Sequence, residues 1–547
     1  VVAVHQPSGT RYGATVRTNG QYNILNVRIG GPYTVTASIL GYKKESQTDI
    51  YLSIGQDLRI DFSLTEEPIA GPEVVVTAQV DKVLNSGRTG AATYIDRVQV
   101  TELPTVKRST RDLIRLDPRS DGNYSFGGKN WLFNNISLDG SYFNNPFGLD
   151  DPAPGGQTNA EPVPFDAVEQ VQVSLAPFDV REGGFTGAGI NTVTKSGTNE
   201  YRGSIYSFVR NQELVGNEVK GKKVVANPDL KYNQSGFSVS GPIIPNKLFF
   251  FLNGEIERRK DPGTNFAAYR GASGFGISRV SASVMDSIRT RMRTVYGYDP
   301  GPYDGYTHET NNEKLLLKLD WNVNENNNLT FRYNLLDARR DLPPHPFVLS
   351  FAGTGRGPNE NSLPFRNSGY RINNKLHSFS LEVNSRYEKF ANRFFASYNR
   401  FRDNRDPFSR PFPTIEIGKD GVTYTTVGHE PFSIHNILDQ DVLQLTNNFT
   451  YFLGSHAITV GATYETFKFF NAFNIFRYGV FFLPPPSTPG GFGGTSFGST
   501  ADFFRYTNPA DPLFLNFNAQ VGAAEQNPFK GEKISVGQLA LYAQDSY

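Results

Sequence analysis

The chain contains no cysteine. Disulfides, thiolate metal centres and cysteine nucleophiles are excluded together, and the redox compartment stays open. An excess of one charge is also missing, since 54 Lys and Arg stand against 53 Asp and Glu, a formal net charge of +1. With no global field, nucleic acid and anionic surfaces are not selected as partners, and recognition has to come from local sites. Long apolar runs are absent as well. Stretches such as Leu248 to Leu252 fall far below the roughly 18 residues of a transmembrane helix, which excludes a helical membrane protein. A transmembrane β-barrel passes that test, because its lipid-facing residues alternate with lumen residues and keep the mean hydropathy low, here -0.42.

What the sequence does hold favours strands and turns: 43 Phe, 27 Tyr, 53 Gly and 34 Pro in 547 residues. The length suggests about three or four domains, or one large architecture with appendages. The opening VVAVHQPSGT has neither the charged start nor the apolar centre of a signal peptide, so the chain is expected to begin inside a longer precursor.

Residues 1–64 read as a compact β-sandwich. Asn19-Gly20 is a two-residue hairpin signal, and Tyr33, Val35 and Ala37 alternate with Thr34, Thr36 and Ser38. Residues 65–78 hold an acidic Pro- and Gly-containing linker, TEEPIAGP, followed by Glu73, Val74, Val75, Val76, Thr77 and Ala78. That β-prone run has two readings, a strand that adds to another protein's sheet edge or an ordinary strand of the next domain, and composition alone favours the second. Residues 79–200 mix a helix over Arg111 to Leu116 with Gly-rich loops and the strand VEQVQVSL. The glycine density of 183–197 implies close backbone packing in a confined space.

Residues 201–547 carry the clearest pattern. Leu329, Phe331, Tyr333 and Leu335 are offset from Thr330, Arg332 and Asn334, and Leu315, Leu317, Leu319 and Trp321 are expected on the outward face of Lys314 to Trp321. About ten such strands can be drawn. Their connections alternate between long, as at 260–312, and short, as at Asn322 to Asn328. A soluble sandwich or propeller would also alternate. Long structureless loops on one side and short turns on the other favour an outer-membrane barrel.

Catalytic and metal motifs are missing from the same residues. The seven histidines show no ligand spacing, with His429 and His435 an incidental loop pair. GGKN at Gly127 to Asn130 departs from a P-loop, and GFTGAG at Gly184 to Gly189 lacks the spacing of a dinucleotide fingerprint. No G-x-S-x-G elbow occurs. Asp139, Asp150 and Asp151 read as solvated loop carboxylates rather than a calcium loop. No catalytic residue, metal site or cofactor is assigned, and the chain is read as a non-enzyme.

Two resemblances follow from these segments. Gly20 to Val27, Gly31 to Val35 and Gly41-Tyr42 resemble the carboxypeptidase-regulatory-like, transthyretin-like domain, with Pro32 a departure and the first strand expected to be truncated. EVVVTA (Glu73 to Ala78), Leu103-Pro104, ISLDG (136–140), VEQVQV (168–173) and the run through Asn191 to Gly197 resemble, in order, a TonB-dependent receptor of the Oar-like branch. LALYAQDSY is similar to an internal barrel strand of that family. The resemblance implies a mainly β architecture: a transmembrane antiparallel β-barrel over 201–547, an α+β plug over 79–200, and an N-terminal β-sandwich. It also implies a TonB box at Glu73, Val74, Val75, Val76, Thr77 and Ala78, in the periplasm with the N-terminal domain.

The implied function is active transport of a large or scarce solute, with peptide or protein cargo favoured, across the bacterial outer membrane. TonB with ExbB and ExbD would supply the energy of the inner-membrane proton gradient. A non-transporting surface adhesin or binding protein is the alternative. The family's barrel has about 22 strands, so a chain with about ten is expected to be a fragment. Its aromatic loops, 470–486 and 490–506, would meet cargo, stack on one another or sit at the membrane interface.

Overall fold

The computed structural model describes residues 1–66, 92–105, 107–145, 147, 151–177, 179–345, 355–433, 436–474, 477–479, 496–526 and 528–547, with the backbone of 74–77. Three sheets organise them.

The first is built from β1 (Val2–His5), β2 (Thr10–Gly13), β3 (Gly30–Ala37), β4 (Glu45–Leu52) and β5 (Val74–Thr77), in the order β2-β1-β3-β4-β5. The alternation read in β3 holds, with Tyr33, Val35 and Ala37 all buried. Ala3, Tyr12, Tyr33, Val35 and Ile50 form the core, and Ile24, Val27, Leu58, Ile60 and Phe62, on segments that form no strand, pack against it.

The second sheet belongs to the plug: β6 (Ala92–Ile95), β7 (Asn135–Leu138), β8 (Ser141–Tyr142), β9 (Val168–Ser174) and β10 (Gly189–Thr194), in the order β6-β9-β10-β7-β8, with β7 and β10 parallel. Two short helices flank it. α1 (Arg97–Glu102) starts at a capping box made by Asp96 and Gln99. α2 (Thr110–Ile114) is shorter than the expected Arg111 to Leu116, because Arg115 already serves as its C-cap. VEQVQV is buried at nearly every position, since the plug covers both faces of β9.

The third sheet has ten antiparallel strands: β11 (Arg202–Asn211), β12 (Lys231–Ile244), β13 (Leu248–Pro262), β14 (Thr307–Asn322), β15 (Asn327–Leu342), β16 (Tyr370–Arg386), β17 (Phe390–Pro407), β18 (Asn436–Leu453), β19 (His456–Ala472) and β20 (Glu532–Ser546). Each pairs with the next in sequence, and β11 and β20 are the two edges, so the sheet is an open, curved wall. The expected ten strands are present. LALYAQDSY, up to Ser546, lies in β20 and pairs with β19. The strands run longer than their alternating apolar stretches: β14 begins at Thr307, seven residues before the expected Lys314. Sixteen residues at about 3.3 Å each exceed an apolar band about 25 Å tall, and the polar part from Thr307 to Glu313 carries no hydrophobic signal to be read.

The apolar face points away from the plug. Leu315, Leu317, Leu319 and Trp321 lie opposite Leu335, Tyr333, Phe331 and Leu329. Tyr333, Phe331 and Leu329 in turn oppose Phe379, Leu381 and Val383, which oppose Tyr398, Ala396 and Phe394. The result is a continuous outward band. Tyr387, Phe390 and Phe449 close it beside the short turns, with ring centroids 4.8 and 5.4 Å apart, the arrangement of an interfacial aromatic girdle. Inward positions on the same strands are polar and buried, among them Lys314, Lys318, Arg332 and Asn334.

The long connections are not structureless, and that expectation is corrected. α3 (Ala282–Tyr296), α4 (Thr500–Tyr506), α5 (Phe517–Glu525) and a three-stranded sheet of Ile415–Lys419, Val422–Val427 and Ser496–Phe497 share one core above the wall. Met285, Ile288, Met292, Phe365, Phe412 and Phe503 are fully buried in it. Loops rich in Phe and Tyr can bury enough apolar area on each other to fold as a cap. Phe497, Phe503 and Tyr506 accordingly pack loop on loop, with centroids of 5.6 and 6.1 Å from Phe497 to the other two.

Candidate functional site

Asp-Gly is the preferred pair for a two-residue hairpin turn with positive φ at both positions. Asp139 (φ 46°) and Gly140 (φ 83°) form such a turn between β7 and β8, at the plug face that meets the wall. The carboxylate of Asp139 accepts from the backbone N–H of Thr194 at 2.8 Å and from its hydroxyl at 2.7 Å. It also pairs with Arg332 Nη1 at 3.1 Å and lies 3.7 Å from Lys318 Nζ. Burial pushes the Asp139 carboxyl up, but Lys318, Arg332 and the Thr194 hydrogen bonds outweigh it and hold the group below the usual carboxylate range.

Arg332 is wholly buried and donates further to the Leu138 carbonyl and, at 2.8 Å, to Ser141 Oγ. Lys318 Nζ donates to the Thr194 carbonyl at 3.2 Å. One plug carboxylate and two wall cations therefore form a buried polar latch. The reading of Asp139 and Asp151 as solvated is corrected: Asp139 sits in this latch and Asp151 pairs with Arg111. Asp150 lies outside the described residues. Among the described residues no group of three metal-ligating side chains occurs.

Other plug-to-wall contacts are polar too. Asn334 donates to the Pro162 carbonyl at 2.9 Å, Arg340 to Gln157 at 3.2 Å, and Gln440 to Asn145 Oδ1 at 3.2 Å. The fit is close at Gly155 (φ 91°), where a Cβ would fall 2.5 Å from Leu336 Cδ2. The latch was not legible in the sequence as a contact. Its signal was the placing of Lys318, Arg332 and Asn334 on the lumen-facing phase of their strands.

Below the short turns sits the N-terminal module. Arg28 donates to the Gly197 carbonyl at 2.8 Å and lies 3.9 Å from Asp320. Arg386 stacks over Tyr12 at 4.7 Å and donates to the Asn26 carbonyl at 3.2 Å. Asn322 donates to Thr10 Oγ1 at 2.9 Å, and Asn199 N–H to the Pro7 carbonyl at 2.8 Å. A chamber of about 1510 Å³ lies between module, plug and wall. These contacts hold the module against the short turns of the wall.

Of the six residues expected as a TonB box, Glu73 and Ala78 lie outside the described residues. Val74, Val75, Val76 and Thr77 are β5, which runs parallel to β4 with Val74 opposite Glu45 and Thr77 opposite Thr48.

A lumen-polar, lipid-apolar sheet packed round a folded plug defines an outer-membrane protein of the plugged-barrel class. A family profile described as Outer membrane beta barrel domain matches residues 193–273 and 276–547, and the chain belongs to that family. A second profile, Carboxypeptidase regulatory-like domain, matches residues 1–65. The chain is 24% identical over 338 residues to the TonB-dependent transporter Oar of Myxococcus xanthus, covering 58% of this chain and 30% of that protein.

Among solved structures it is similar to the outer membrane transporter YddB from Escherichia coli, with 12% identity and a TM-score of 0.47 over 70% of this chain and 48% of that one. It is also similar to the siderophore receptor PirA from Acinetobacter baumannii, with 15% identity and a TM-score of 0.46 over 83% and 54%. The chain thus spans 30% of the length of the curated relative it matches. The module ahead of a barrel domain and the Oar relative make the chain similar to Oar-like TonB-dependent receptors, the barrel family places it in the outer membrane, and its relatives are transporters and receptors rather than enzymes.

Proposed function

We propose that the protein takes part in TonB-dependent active transport of a large or scarce solute across the outer membrane. The observation that carries this reading is the latch. A plug held inside the wall by Asp139, Lys318 and Arg332 does not yield a passage without work, because withdrawing Asp139 leaves the buried Arg332 uncompensated, which costs about 3–5 kcal/mol. The outer membrane has no nucleotide supply, so that work has to be delivered mechanically from the inner membrane. TonB, with ExbB and ExbD, would deliver it through Glu73 to Ala78. The β-branched Val74 to Val76 favour extended backbone, and main-chain pairing gives affinity without a deep pocket. Peptide or protein is the cargo class, received at the aromatic cap.

The test is uptake of fluorescent peptides by cells carrying the whole protein, with and without Val75→Pro, which removes an N–H from the coupling strand. At least a ten-fold loss, matched by a protonophore on the unaltered protein, is the expected result. Unchanged uptake would overturn active transport through this segment.

A further inference from the structure

Arg400 of β17 and Lys468 of β19 are exposed on the outward face of the wall, and among the described residues neither makes a hydrogen bond or an ion pair. They flank one position, Asp441 of β18, which stands opposite both. Neighbouring strands lie about 4.7–4.9 Å apart, so the two backbone positions are separated by about 9–10 Å. Side chains as long as Arg and Lys can meet over that gap.

The ladder fixes their height. Phe390, in the aromatic girdle beside the short turns, shares a row with Tyr451 and Ile458. Arg400 follows Phe390 by ten residues along β17, and Lys468 follows Ile458 by ten along β19. Ten residues span about 33 Å of strand, and about 25 Å of height at the usual tilt of about 35–45°, which is the full height of an apolar band. The two cations therefore stand at the outer boundary of the hydrocarbon, on the side of the long connections. We propose that Arg400 and Lys468 together bind the phosphate of an outer-leaflet lipid, whose acyl chains lie on the apolar band beneath them.

The charges around the pair favour this site over others on the same face. One row further out, Arg402 holds Asp441 through both Nη atoms, at 3.0 and 3.2 Å, and Lys375 lies 3.6 Å from Asp337. Those cations are spent within the wall. The pairing with Arg402 also neutralises Asp441, the carboxylate that would otherwise repel an anion between Arg400 and Lys468. Two cations left uncompensated at the edge of a low-dielectric layer call for an anion that resides at the same depth, and a lipid phosphate does. A guanidinium offers it paired N–H donors and an ammonium a compact charge.

The chains have a surface too. Directly below in register lie Tyr398, Leu443 and Thr466, and then Ala396, Leu445 and Tyr464. Leu443 and Leu445, both partly exposed, are the centre of this strip. β17 runs on into the connection that gives Phe412 to the cap, and β19 into the one that gives Phe503. A head group bound across the two strands thus sits at the foot of the cap.

The experiment uses the whole protein in dodecyl maltoside, with lipid A, which carries two phosphates, and its dephosphorylated form as probes. Native mass spectrometry counts bound lipid along a titration. Expected is one lipid A held about ten-fold more tightly than the dephosphorylated form, a preference that disappears when Arg400→Gln and Lys468→Gln are combined. Lys375→Gln, which removes a paired cation one row away, should leave the preference unchanged. A preference kept by Arg400→Lys with Lys468→Arg, but lost with Gln at both positions, reads charge rather than folding.

Equal binding of the two probes would overturn recognition of a phosphate. A preference that survives Gln at both positions would overturn the assignment to Arg400 and Lys468. Full displacement of lipid A by millimolar inorganic phosphate would show a site for soluble anions and overturn the lipid as its occupant.

Discussion

Asp139 of the plug and Arg332 of the barrel wall form a 3.1 Å ion pair in which the guanidinium is completely buried. Their sequence separation is large, but the hairpin turn that carries Asp139 and the lumen-facing phase of β15 bring them together. Lys318 joins from the neighbouring strand, where it stands opposite Arg332 in the ladder. Two like charges side by side are tolerated because one carboxylate lies between them.

Asp139→Asn keeps the size of the side chain but removes the charge that Arg332 and Lys318 share. Leaving buried cations uncompensated costs about 3–5 kcal/mol, so the plug should unseat at lower urea concentration while the wall persists. Site-directed spin labels on plug and wall, followed through a urea titration, would report it. An Asp139→Asn plug that leaves at the same urea concentration as the unaltered one would argue against the latch.

Leu317 stands in the centre of the outward band and Leu316 beside it faces the plug core. Leu317→Arg should impair assembly in lipid, by about 2–4 kcal/mol for a cation near the bilayer midplane. Leu316→Ala should leave assembly intact and loosen the plug, as truncation of a buried leucine costs about 2–5 kcal/mol. Folding yield into vesicles separates the two, and equal yields for both variants would contradict the assigned orientation.

His5 is buried against Tyr33, with ring centroids 4.9 Å apart, and its Nδ1 is 2.7 Å from Ser8 Oγ. Burial, with the nearby Arg28 cation, lowers its pKa to about 3. The folded module therefore binds this proton more weakly than the unfolded chain does. The stabilising effect is complete above the ordinary pKa of about 6.5 and is lost as the pH falls from there toward 3, amounting to ~2 kcal/mol between pH 6.5 and 5. Hydrogen exchange in β1 and β3, corrected for the intrinsic pH dependence, should quicken over that range. His5→Gln, which retains a hydrogen-bonding group for Ser8, should flatten the change.

Much of the architecture was legible in the residue pattern. Period-two alternation at Leu315 to Trp321 and Leu329 to Leu335 defined the two faces of the wall, because a strand puts successive side chains on opposite sides whatever its neighbours are. Short turns such as 323–326 were readable for the same local reason, being rich in Asn, as was the strand β9, whereas the Asp139-Gly140 turn was not read from the sequence. The cap was not legible. Its helices and small sheet draw on segments far apart in sequence, and Phe412, Phe503 and Met285 reveal a common core only when the wall brings their loops to one end.

Sequence alone determined the local terms: the strand phases, the turns, the order of module, plug and wall, and the absence of cysteine chemistry. Only the tertiary structure decided that Asp139 meets Arg332 and Lys318, that the module rests under the short turns through Arg28 and Arg386, and that Val74–Thr77 runs along β4. Those contacts join residues remote in the chain. Their energies depend on burial and on partners supplied by other elements, and a linear pattern of side chains does not encode either quantity.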